Sequence, residues 1–191
     1  MPLAASDAFP AASSELAACI YADAAGDSAG AGYCAWTVAG DELLVVEGRW
    51  SEQEREHLLI CDLELAASTF GLVALQPLIG RRFVYSFTDN TVAMSAMRKL
   101  TPSTLCMQEL TVERVAWLMG RDVWEATERI TSKANLWADL GSRARMGELM
   151  AQAARLQLRI RRVETPLGWR RLVARAAEAA ALLSSSEGSI Q

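Results

Sequence analysis

Three β-prone runs of apolar residues lie close together near the start of the chain, at 17–24, 31–39 and 42–50, with Gly26, Gly30 and Gly40–Asp41 as turn-forming positions between them. That spacing predicts a three-stranded antiparallel meander. Downstream the pattern changes. Residues 54–76 are rich in leucine and alanine with no glycine until Gly71, which predicts a helix. A strand is expected at 82–88, helices at 90–99 and 103–119, a strand at 122–131 and a helix at 134–146. Pro102 and Ser103 mark the break between the two middle helices. Leu105, Leu110, Val115 and Trp117 are expected on the core face of the second. A meander followed by alternating helices and strands predicts an α/β (α+β) domain: a mixed five-stranded sheet with its first three strands antiparallel, flanked by helices.

The ends have a different texture. Residues 1–15 read as a small-residue, proline-containing leader and 16–147 as the main domain. Residues 148–183 read as an arginine-rich, mainly helical extension, in which a helix plus a short strand is also compatible with the pattern, and 184–191 as a polar tail. Within the extension Arg155, Arg159, Arg161 and Arg162 crowd together. They read either as the solvated face of a helix or as a phosphate-contacting surface, since guanidinium groups bind phosphate bidentately.

Composition narrows the class. The 191 residues are 51% hydrophobic, enough for one sizeable core. The net charge of −4 argues against the strongly basic surface of an autonomous nucleic-acid binder. Cys19, Cys34, Cys61 and Cys106 form no Cys-x-x-Cys pair and stand inside apolar runs, which reads as free buried thiols in a reducing intracellular compartment, cytoplasmic or nuclear. No apolar stretch is expected to serve as the roughly 20-residue span needed to cross a bilayer, and the opening lacks the basic start and apolar core of a signal peptide.

Four acids then stand out. Asp23 ends an apolar run before a small-residue turn. Glu64 lies in the leucine-rich helix, with Asp62 competing for its role. Asp89 closes the strand-like run RRFVYSFTD, at the carboxyl end where open sheets place ligand groups. Asp139 follows a new helical start between Ser132 and Asn135. Taken singly, Asp23 is a turn residue, Asp89 an N-cap of the following helix, Glu64 an exposed helix position and Asp139 an i,i+4 partner of Arg143. Taken together, they are the hard-oxygen donors that Mg²⁺ prefers.

The segments YADAAGDSAGAG, ICDLELAA, SFTDNTVAMSAMRK and SKANLWADLGSR carry these acids in an order that resembles the ribonuclease H family. Within it they are most similar to the ribonuclease H domains attached to reverse transcriptases of tyrosine-recombinase retrotransposons, the DIRS and Ngaro-like elements. The resemblance covers roughly residues 16–145. It implies a two-ion site, with Mg²⁺ (Mn²⁺ as substitute) held by Asp23, Glu64, Asp89 and Asp139. Asp23 would bridge the ions, Glu64 and Asp89 would hold the one on the leaving-group side, and Asp139 the one that activates water. It further implies an RNA–DNA hybrid as substrate, cleaved in its RNA strand, and an adjacent reverse transcriptase domain as partner.

Asn90, Asn135, Arg159, Arg161 and Arg162 are the candidate substrate contacts. His57, the one histidine, does not match the loop histidine of cellular ribonucleases H and reads as a structural or surface residue. Where many retroelement relatives have His-x-Pro-Gly before the last helix, this chain has Arg129-Ile130-Thr131-Ser132. Trp124 and Trp137 are expected in the core. Two other readings stay open: a noncatalytic connector or nucleic-acid-binding module of a polymerase polyprotein, and a same-fold DNA nuclease.

Overall fold

A computed structural model describes residues 17–27 and 31–187. The expected leader at 1–15 and the last four residues of the tail lie outside that range. The meander forms as read, from β1 (Ala17–Ala24), β2 (Gly32–Ala39) and β3 (Glu42–Arg49), antiparallel throughout. β4 (Phe83–Thr88) joins β1 in parallel and β5 (Trp124–Arg129) joins β4 in parallel. The sheet has a sixth strand where five were expected. Residues Arg159–Val163 of the arginine-rich extension form β6, parallel to β3, and the strand order is β5-β4-β1-β2-β3-β6. The extension is therefore not purely helical. Its alternating arginines, read as a helix face, line an edge strand, where charge discourages pairing with another chain.

Seven helices flank the sheet among the described residues: α1 (Glu52–His57), α2 (Ile60–Ile79), α3 (Thr91–Lys99), α4 (Leu105–Gly120), α5 (Leu136–Ser142), α6 (Met146–Arg155) and α7 (Leu167–Glu187). The helix expected over 54–76 is two helices, because Leu58 and Leu59 both adopt extended backbone. Ser51 and Glu54 form a reciprocal cap on α1. Asp62 opens α2, its carboxylate accepting from the Leu59 N–H at 2.9 Å and from the Thr104 hydroxyl. That bonding gives Asp62 a structural role. α7 continues past the expected tail boundary at 184.

Strand alternation divides the core between the two faces of the sheet. Ile20, Ala22, Ala35, Leu44 and Val46 face α2, α4 and α7, while Tyr21, Cys34, Trp36, Leu43 and Val45 face α5 and α6. Two glycines set how close the helices come. A methyl at Gly71 of α2 would meet the Ala35 side chain at 2.5 Å, and one at Gly141 of α5 would meet Cys34 Sγ at 2.3 Å, so both helices rest directly on β2. α2 is apolar nearly all round because it is buried nearly all round. It is also long and apolar enough to cross a membrane by length and composition, which overturns the reading that no stretch qualifies. Within the fold 83% of that span is buried, as befits a core helix.

Two residues expected in the core are exposed. Trp124 is 65% exposed on edge strand β5, and Leu105 of α4 is 64% exposed, with Val115 and Trp117 half-buried. The inward face of α4 is Cys106, Met107, Leu110, Thr111 and Arg114. Arg114 is buried because it is bonded on every side. Its guanidinium donates to Glu125 Oε2 at 2.9 Å, Thr69 Oγ1 at 2.8 Å and Ser68 Oγ at 3.2 Å, tying α4 to α2 and β5. Trp137 is half-buried, packed on Trp36 with ring centroids 4.9 Å apart. The four thiols are free, three of them buried and Cys19 half-buried.

Candidate metal centre

β1 and β4 are adjacent and parallel, so their carboxyl ends leave the sheet side by side. Asp23 stands one residue before the end of β1, and Asp89 directly follows the last residue of β4. α2, lying across one face, brings Glu64 to the same edge, and α5, across the other, brings Asp139. Ligand oxygens of Asp23, Glu64 and Asp89 all lie within 4.8 Å of one another. Asp139 lines the same cleft of about 520 Å³, together with Asp27, Arg55, Ser132 and Arg143. The structure thus brings all four predicted acids to one cleft, three of them into a tight group.

The electrostatics are those of buried acids that repel one another. Asp23 is 5% and Glu64 4% exposed. Burial, and then the charges of Asp89 and Asp139, push the Asp23 carboxyl up to about 7, against the lowering effects of the Ser142 hydrogen bond and Arg143. Burial, followed by the Asp23 and Asp89 charges, holds Glu64 well above the ordinary carboxylate range. The Ala24 backbone and the Thr88 hydroxyl act the other way. Such a set suits hard divalent cations, whose charge would offset the burial and mutual repulsion of these acids.

Neighbouring groups orient these carboxylates. Ser142 donates to Asp23 Oδ2 at 2.5 Å, and Thr88 Oγ1 lies 3.5 Å from Glu64 Oε2. Asp139 accepts from Arg143 Nε at 2.7 Å, and Arg143 Nη1 also lies 3.5 Å from Asp27. The i,i+4 pairing and the place in the cleft, alternatives in sequence, are both present here. Arg55 is the other cleft-lining cation, and among the described residues it has no acidic partner.

The expected substrate contacts fare differently. Asn90 caps α3, its Oδ1 accepting from the Val92 and Ala93 N–H groups at 2.9 Å each, and it is half-buried beside Asp89. Asn135 is fully buried, which corrects its reading as a substrate contact. Its amide donates to the Ala22 carbonyl at 2.8 Å and fastens α5 to β1 next to Asp23, while its Oδ1 has no partner. Arg159, Arg161 and Arg162 lie on β6, outside the cleft, and each faces acids of the β2–β3 hairpin: Asp41 and Glu42 for Arg159, Glu42 for Arg161, Glu47 for Arg162. Arg55, Ser142 and Thr88 escaped the sequence reading. Thr88 and Ser142 lie inside the quoted motifs SFTDNTVAMSAMRK and SKANLWADLGSR, but Arg55 is flanked by Glu54 and Glu56 and gives no local signal.

No protein-family model and no curated protein matches the chain. Solved structures do. One is the ribonuclease H1 of the halophilic archaeon Halobacterium salinarum NRC-1, with a TM-score of 0.53, 14% identity, and coverage of 69% of this chain and 98% of that one. Another is the N-terminal ribonuclease H domain of a Mycobacterium tuberculosis protein, solved as a fusion with maltose-binding protein. Its TM-score is 0.51 and its identity 18%, with coverage of 73% of this chain and 97% of that one. At these identities the likeness establishes the fold, which is ribonuclease H-like.

Proposed function

We propose that this chain is a ribonuclease H, a divalent-metal-dependent endonuclease that hydrolyses the RNA strand of RNA–DNA hybrids. The observation that carries the reading is the convergence of Asp23, Glu64 and Asp89 within 4.8 Å, at the strand ends of a ribonuclease H-like fold. Asp23 would serve two ions, Glu64 and Asp89 one of them and Asp139 the other. Such ions supply a nucleophilic water and neutralise the leaving oxygen. The chain's own groups do the rest. Ser142 and Thr88 aim the Asp23 and Glu64 carboxylates. Arg143 holds Asp139 at the rim. Arg55 offers an uncompensated guanidinium to a substrate phosphate.

In the same reading Asn90 contacts the backbone beside Asp89 through its free amide nitrogen. Arg159, Arg161 and Arg162 contact the flank of the duplex. β6 is three strands from β1, or about 14 Å at the usual strand spacing. The wider setting is a retrotransposon reverse transcriptase inside the cell, with a polymerase domain adjacent. The SKANLWADLGSR motif supports it, and the four free thiols agree with a reducing compartment.

The test is incubation of the chain with a labelled RNA–DNA hybrid, with duplex DNA and duplex RNA alongside, in Mg²⁺, Mn²⁺ or EDTA. Metal-dependent cutting of the RNA strand alone is expected. Hybrid binding without cutting would favour the noncatalytic module, and cutting of duplex DNA a same-fold DNA nuclease.

A further inference from the structure

α1 has six residues, too few to be stable on its own, yet it carries Arg55 to the rim of the carboxylate cleft. What holds it is the C-terminal helix. Glu54 is 1% exposed, and its carboxylate takes both terminal nitrogens of Arg170 from α7. The same carboxylate accepts the Ser51 N–H at 2.7 Å. Arg170 Nη2 also reaches the Arg49 carbonyl at 3.0 Å, and its guanidinium lies over the Trp50 ring at 5.3 Å and near the Tyr33 ring at 5.9 Å. One side chain of the extension therefore grips the end of β3, the turn after it and the first turn of α1.

We propose that Arg170 is a positioning residue for substrate binding: by anchoring Glu54 it sets the rotation of α1 and so the place of the Arg55 guanidinium in the cleft. Consecutive helical residues point about 100° apart, so fixing Glu54 against α7 fixes the direction of Arg55. The partner of Arg55 is a phosphodiester group. Arg143, the other cation of the cleft, is engaged by Asp139 and Asp27, whereas Arg55 meets no acid among the described residues. This inference rests on the reading of the cleft as a hybrid-binding site. It gives Arg170 a part in affinity that needs no direct contact with the nucleic acid.

The experiment measures kcat, KM and the salt dependence of hybrid binding for the full chain and for Arg55→Gln, Arg170→Lys and the double variant, with Tm recorded for each. Arg170→Lys keeps a charge opposite Glu54 but loses the planar fork and its stacking. A neutral pair, Glu54→Gln with Arg170→Gln, serves as a second disruption that leaves no buried charge unpaired. Arg55→Gln is expected to raise KM about tenfold with kcat nearly unchanged, the size of one charged hydrogen bond. Arg170→Lys and the neutral pair should raise KM in the same way, and Arg55→Gln should add little to either. A lowered Tm with parental KM and salt slope, or effects that multiply in the double variant, would overturn the inference alone. A parent chain that binds no hybrid would overturn the proposed function and this inference with it.

Discussion

Arg143 Nε lies 2.7 Å from Asp139 Oδ1, so the fourth acid of the cleft already holds a cation, one that belongs to the protein. The guanidinium and a metal ion compete for the charge of Asp139, and that competition opposes metal binding. Arg143→Gln should therefore tighten the weaker of two Mn²⁺ sites in a calorimetric titration while changing Tm in EDTA little. Exposed pairs of this kind contribute under about 1 kcal/mol. Unchanged Mn²⁺ affinities would show that the pair has no bearing on metal binding.

Asp89→Asn should lower hybrid cleavage by at least about 100-fold, the scale on which metal sites respond to altered ligation. In EDTA at pH 8 the same variant should be more stable than the parent by a few degrees, because one member of a repelling cluster is gone. For a chain of this size each kcal/mol corresponds to about 2–4 °C. Paired activity and thermal-melt measurements check both. Full activity would reduce Asp89 to a structural role at the start of α3.

Metal-free stability should fall as pH rises through the window set by Asp23. Its folded pKa, about 7, exceeds the ordinary 3.8, so between those values the folded state binds more protons than the unfolded one. Stability then decreases with increasing pH. Glu64, raised as well, acts in the same direction. Melting curves in EDTA should show Asp23→Asn losing much of this slope, and saturating Mg²⁺ should flatten it in the parent. A slope shared unchanged by the variant would place its origin elsewhere.

Arg114→Ala should cost about 3–5 kcal/mol in urea denaturation, because it leaves Glu125 buried without its partner. Arg114→Met combined with Glu125→Leu should cost much less. Equal losses in the two variants would mean that the volume of Arg114 matters more than its charge.

Replacing Arg159, Arg161 and Arg162 with Gln should lessen the salt dependence of hybrid affinity by fewer than three counterions, since each arginine gives up an acidic neighbour to reach a phosphate. A slope equal to that of the parent would confine these residues to the β3–β6 edge.

Three of the acids were legible in sequence because each stands where a local pattern changes: Asp23 and Asp89 at the close of apolar runs, Asp139 just inside a new helix; Glu64, inside the leucine-rich helix, was legible only beside the other three. The meander was legible for the same reason, with turns at Gly26 and Gly40. What stayed hidden depended on partners distant in the chain. Arg114 looks like a surface residue until Glu125, Ser68 and Thr69 surround it. Arg159, Arg161 and Arg162 look like a helix face until β3 offers an edge to pair with. The break at Leu58–Leu59 is invisible because both residues are good helix formers, and the arrangement of Asp62 and Thr104 overrides their preference.

The parallel pairing of β1 with β4 has a kinetic consequence. These strands meet only when the chain between them, including β2, β3, α1 and α2, has folded back, which makes this a slow closure. The same closure brings Asp89 against Asp23 and Glu64, so the growing repulsion falls on a step that loop closure already slows. A divalent cation that bound these acids at that moment would remove the opposition, and the folded lifetime of the protein would then depend on that ion.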